Sequence, residues 1–169
     1  MKNLIFVLPC LLVGCVSATV QDDSLCEVVP LANIPAAPVA GITVPPVSFS
    51  TDFDYSNTIS KIGNVADDLT VNITQLTVNS QVDMSWVSTV DVSIQSSTLP
   101  EVPFATYTYS NDPGDQVSMQ PHMDAATVLQ YLSNPVVLTF TVSGTSQTQA
   151  MDLTSTMCLS VSGHFSKSL

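Results

Sequence analysis

Val136-Val-Leu-Thr-Phe-Thr-Val142 places Val136, Leu138, Phe140 and Val142 on one face and Val137, Thr139 and Thr141 on the other. Successive side chains of a strand point to opposite faces, so this period of two predicts a half-buried β-strand. Ser143-Gly144-Thr145 closes it as a turn. Working outward, Met151, Leu153, Met157, Leu159 and Val161 mark a last long strand. Thr154, Thr156, Cys158, Ser160 and Ser162 lie on its opposite face, which puts Cys158 on the outside of the sheet.

The same alternation recurs upstream. Val47, Phe49, Thr51 and Phe53 alternate with Ser48, Ser50, Asp52 and Asp54. Val71 and Ile73, then Leu76 and Val78, change phase at Gln75, which predicts a bulge. Trp86, Ser88, Val90, Val92 and Ile94 share a face, and Phe104 to Tyr109 is a further short strand between Pro103 and the Asn111-Asp-Pro-Gly114 turn.

A helix is predicted after Asp124, a residue type suited to the N-cap, with Val128, Leu129 and Leu132 as its apolar stripe and Asn134-Pro135 as its stop. Residues 57–69 suggest a second, shorter helix that Gly63 weakens. The expected fold is all-β: an antiparallel, immunoglobulin-like β-sandwich of about seven strands with one short helix. A transmembrane β-barrel is the structural rival, disfavoured by the Pro-rich start and by aromatics at only 7%.

The amino terminus reads as an export signal. Lys2 supplies a positive charge and residues 4–13 an apolar run, too short for the roughly 20 residues that span a bilayer. Leu12-Val13-Gly14-Cys15 resembles the lipobox of bacterial lipoproteins. The resemblance implies cleavage before Cys15, a diacylglyceryl group on its thiol and a membrane anchor, with Val16 compatible with sorting to an outer membrane. It covers about the first 15 residues and carries nothing about the rest. Val16-Ser17-Ala18 is the competing site, an ordinary secretory cleavage that would release a soluble protein. The expected organisation is a signal over 1–14, a lipidated tether over 15–25 with no periodicity, and a β-sandwich domain over 26–169.

Removing 14 of 169 residues leaves 155, enough for one domain with its own core. Two lysines, Lys61 and Lys167, then face 14 acidic residues, a net charge of −12, and the chain has no arginine. Such a chain neutralises phosphates poorly, which argues against nucleic acid and anionic surfaces as partners. The cysteines left after Cys10 and Cys15 are Cys26 and Cys158. In an exported protein that pair predicts a disulfide stapling the two ends of the domain. Five of the eleven prolines fall between Pro30 and Pro46, and the bridge draws that segment onto a sheet edge, where Pro is tolerated.

Residues with chemical potential are few. His122 and His164 lack any local signature of a Ser/His/Asp hydrolase, and structural roles are expected for both. Asp52 with Asp54 and Asp67 with Asp68 are solvated pairs. Asp112 and Asp115 in the Asn111–Asp115 turn are a weak Ca²⁺ candidate, since the spacing of a calcium loop is missing and Asp-Pro-Gly is a common turn. No metal or other cofactor is otherwise implied. Trp86, the one tryptophan, is expected in the core, while Tyr107 and Tyr109 are a weak ligand-binding pair for a sugar or peptide. Asn72-Ile-Thr74 matches a glycosylation sequon and is taken as chance in a strand.

The expectation is a non-enzymatic envelope or surface lipoprotein, anchored to membrane by its lipid and binding an unknown protein or polysaccharide or serving a structural role. A secreted hydrolase using a histidine, and a carrier holding an apolar ligand in an internal pocket, are the alternatives.

Overall fold

A computed structural model of the chain describes residues 15–64 and 66–168. The signal segment and Leu12 to Gly14 of the lipobox lie outside the described residues. Two antiparallel sheets pack face to face, as the alternation predicts. One sheet has strands β1 (Cys15–Ile34), β9 (Met151–Ser168), β3 (Asp68–Ser80) and β6 (Gln116–Ser118), in that order. The other has β2 (Thr43–Phe53), β8 (Val136–Thr145), β4 (Val87–Ser96), β5 (Val102–Thr108) and β7 (Gln120–Pro121). The core between them holds Leu76, Val78, Met157 and Leu159 from the first sheet and Ile94, Phe104, Leu138 and Phe140 from the second, all fully buried.

The strand count is nine among the described residues rather than seven, because β6 and β7 are too short to show a period. Two helices are present among the described residues rather than one. The second expected helix is realised as α1 (Ser56–Gly63), and α2 (Ala125–Leu132) starts where Asp124 indicated. The Asp124 carboxylate accepts from the Thr127 backbone N–H at 2.9 Å and from its hydroxyl at 3.0 Å, satisfying a helix-start donor that has no partner inside the helix. The bulge in β3 falls at Thr74, between the paired positions Ile73 and Gln75.

Residues 15–25 correct the expected tether. They form the first part of β1 and pair with β9 from Cys15 opposite Ser168 to Leu25 opposite Leu159, with an irregularity between Asp22 and Leu25. Their small polar residues show no alternation because no second layer is needed to make them a strand; pairing with β9 is enough.

Cys26 and Cys158 are directly opposite one another on β1 and β9, with Cα atoms 4.0 Å apart, and are joined by a disulfide across 132 residues of sequence. The bridge lies within one sheet, whereas the two sheets are tied to each other polar atom to polar atom. Tyr55, at the end of β2, donates its buried hydroxyl to the Met157 carbonyl of β9 at 2.5 Å. Burial, and then the nearby Glu27 carboxylate, hold that phenol well above its ordinary ionisation range. Stacked on Phe53 with ring centroids 6.4 Å apart, Tyr55 closes the core at the helix end of the sandwich.

Candidate functional site

β1 and β2 are the edge strands of the two sheets and lie on the same side of the sandwich, joined by the crossover 35–42. Around the carboxyl end of β2 the edges are held together. The Thr51 hydroxyl donates to the Pro30 carbonyl at 3.4 Å, and the Asp54 N–H to the Glu27 carboxylate at 3.4 Å. Towards the crossover both ladders are interrupted. β1 slips register between Pro30 and Ala32, and β2 between Val44 and Val47, where Pro45-Pro46 offers no N–H to β8.

The space left between the edges at that end is a half-open cleft of about 410 Å³. This size is ordinary for a small-molecule site. Ile34 and Pro35 line one side, Val44, Val47 and Phe49 the other, and Trp86, Val142 and Met151 complete the apolar surface. The polar lining residues, among them Asn33, Thr145, Ser146 and Gln147, are all uncharged.

The rim is built, not loose. Ser146 holds the crossover through four hydrogen bonds: its hydroxyl donates to the Val39 carbonyl at 2.7 Å and accepts from the Ile42 N–H at 3.2 Å, its N–H donates to the Ile42 carbonyl at 2.8 Å, and its carbonyl accepts from the Gly41 N–H at 2.9 Å. Gly41 has φ +79°, a conformation that favours glycine, and it lets the chain turn back over Ser146. The Ala37 N–H adds a bond to the Gln147 carbonyl at 2.7 Å. Val39 and Ile42 of this latched crossover are more than half exposed, and Val47, which lines the cleft, is 47% exposed.

Trp86 is fixed from behind. Its carbonyl accepts from the Thr145 N–H at 3.0 Å, and its indole Cε3 edge faces Gly144. Trp86 as a whole is 7% exposed, in keeping with the expected core position, yet it also lines the cleft. Its Nε1–H has no hydrogen-bond partner among the described residues. A buried donor without a partner carries a free-energy cost of about 1–3 kcal/mol.

The other residues singled out in the sequence sort by end of the sandwich. The segments 81–86, 109–115 and 146–150 join the crossover at the cleft end, since β3, β5 and β8 finish there and β4, β6 and β9 begin there. Tyr107 pairs with Val90 on the inner face and packs on the core, while Tyr109 is 44% exposed. Burial, then Tyr109 and Asp112 nearby, raise the Tyr107 phenol above its ordinary value, so the structure brings these three together. Asp112 turns its carboxylate onto the Gly114 N–H of its own loop at 3.0 Å, and the Asp115 carbonyl accepts from the Ser80 N–H at 2.9 Å. Among the described residues no group of three or more His, Cys, Asp or Glu side chains is placed to hold a metal.

His122 and His164 are both exposed and stand apart in the fold. His122 follows β7 in one sheet, and His164 lies in β9 of the other, opposite Asp68. Asp54 caps its own turn through Ser56, accepting from the N–H at 3.0 Å and the hydroxyl at 2.6 Å. Asn72 is exposed on β3. No helix among the described residues is long and apolar enough to cross a membrane. Compared with known proteins, the chain matches no family model and no curated protein.

Proposed function

We propose that this chain is an exported, non-enzymatic binding module, held at a bacterial membrane by a lipid on Cys15, that receives an apolar ligand in the cleft between β1 and β2. The observation that carries the reading is the cleft itself: about 410 Å³, lined chiefly by apolar side chains from both sheets, with a latched rim. Of a structural or recognition module, a hydrolase and a carrier of an apolar ligand, the cleft supports the carrier, with the ligand held between two sheet edges rather than in an internal pocket.

The geometry also suits the anchor. Cys15 begins β1 and the cleft lies at its other end, around Ile34, so a lipid on Cys15 would keep the anchor and the cleft at opposite ends of the strand.

Trp86, the one tryptophan of the chain, makes the experiment direct. Titrating the mature protein with the neutral dye N-phenylnaphthylamine is expected to brighten the dye and to change Trp86 emission with the same midpoint and one-to-one stoichiometry. A flat response from both signals rejects the cleft as a ligand site. Mass spectrometry of the mature protein tests the anchor independently, and an unmodified amino terminus at Thr19 would reject it.

A further inference from the structure

The disulfide joins two residues in unlike surroundings. Cys158 lies on β9, which has β1 on one side and β3 on the other, and it is 5% exposed. Cys26 lies on β1, the edge of that sheet, and is exposed. Among the described residues no further strand lies beyond β1. The hydrogen bonds from Thr51 and Asp54 reach Pro30 and Glu27 of the same strand and leave Cys26 open to solvent.

A thiolate opens a disulfide by attacking one sulfur in line with the bond while the other sulfur leaves, so access behind each sulfur decides which is attacked. Cys26 and Cys158 are directly opposite one another, and the bond between them runs broadly across the strands. The approach behind Cys26 comes from the open edge of the sheet. The approach behind Cys158 comes from β3. There Gln75 is directly opposite Cys158, and its side-chain Oε1 stands 3.6 Å from Cys158 Sγ, on the side an attacking thiolate would need.

We propose that Cys26 is the site at which thiols enter the bridge, and that Cys158 is the leaving sulfur. The attacking sulfur bonds to Cys26 Sγ, the Cys26–Cys158 bond breaks, and its electron pair leaves on Cys158 Sγ, which takes up the proton that the thiol gave up. The products are a mixed disulfide on β1 and a Cys158 thiol that has Gln75 Oε1 as its acceptor. A second thiol attacks the added sulfur, leaving Cys26 reduced and the two small thiols joined to one another. Modification thus falls on the strand that begins with Cys15 and spares the inner strand. Neither the cleft nor the lipid enters into this chemistry.

The folded, oxidised mature protein is exposed briefly to the neutral thiol 2-mercaptoethanol at mildly alkaline pH, where part of it is thiolate. N-Ethylmaleimide stops the reaction while most bridges are intact, and the unreduced digest is mapped by mass spectrometry. Mercaptoethanol on Cys26 with N-ethylmaleimide on Cys158 is expected at least about tenfold more often than the reverse. An even division or a majority on Cys158 overturns the proposal, and so does a folded protein in which neither cysteine is captured. Protein unfolded in urea and treated alike should divide the adduct nearly evenly; the same bias there overturns the role given to the sheet. Gln75→Ala, at an exposed position, should raise the share on Cys158 several-fold. An unchanged share overturns the shielding by Gln75.

Discussion

A β-carbon added to Gly144 would overlap the carbonyl oxygen of Trp86 and stand 3.1 Å from its indole Cε3. Backbone cannot yield as a flexible side chain can, so Gly144→Ala must push Trp86 off β8. The expected cost is about 1–3 kcal/mol, the usual range for overpacking. Denaturant unfolding measures it, and a shift in Trp86 emission before unfolding would show that the cleft wall has moved. A variant as stable as the parent with unchanged emission would contradict the contact.

Removing the bridge with Cys26→Ser and Cys158→Ser together frees a loop of 132 residues in the unfolded chain. The chain-entropy account expects a loss of about 4–5 kcal/mol. Adding reductant to the unfolded parent should bring its refolding midpoint to that of the double variant, and to leave the double variant itself unchanged.

Tyr55→Phe removes the hydroxyl that joins the two sheets at Met157, with an expected loss of about 1 kcal/mol near neutrality. The pH dependence has a definite sign. The folded phenol ionises at higher pH than the unfolded one, so its contribution is complete below the ordinary tyrosine value near 10 and declines as pH rises above it. The gap between parent and variant should therefore narrow in the alkaline range, read by urea unfolding at stepped pH.

Asp124→Ala tests the start of α2. Thr127 holds the Asp124 carboxyl below its ordinary value, first through its backbone N–H and then through its hydroxyl. A depressed carboxyl contributes above its unfolded value and loses that contribution as pH falls through the folded one. The variant should melt below the parent at neutral pH, with the two midpoints converging in acid. A gap independent of pH would mean that the cap acts without its charge.

Ser146→Ala deletes the hydroxyl that donates to Val39 and accepts from the Ile42 N–H at 3.2 Å, while the backbone bonds of the latch stay. The crossover is exposed, so the stability loss should be small, about 0.5–1.5 kcal/mol. Dye affinity should fall more visibly, because a looser rim must be ordered on binding. Equal affinity in both proteins would show that the rim takes no part.

What the sequence made legible was whatever depends on neighbours along the chain. The alternation of β8 and β9 is clear because one face of each is buried and the other is not, and the Asp124 cap is clear because its partner is three residues away. Residues 15–25 were opaque for the opposite reason: their strand is imposed by β9, more than a hundred residues distant, and leaves no period in their side chains. The cleft was opaque too. Asn33, Val47, Trp86, Val142 and Met151 come from separate stretches, and each reads as an ordinary strand or loop residue until the sheets are assembled. Val39 and Ile42, apolar residues within a Pro- and Gly-rich crossover, were the one local sign of it.

The union of Cys26 with Cys158 has a mechanical consequence. Tension applied at Cys15 acts beside Ser168, at the free end of the β1–β9 ladder, and there it opens hydrogen bonds one after another like a zip. The peeling halts at the bridge, where a covalent link holds the two strands together in addition to their ladder. Everything beyond it, including Ile34 and the cleft wall, is shielded from a pull that the strand's outer stretch absorbs by itself.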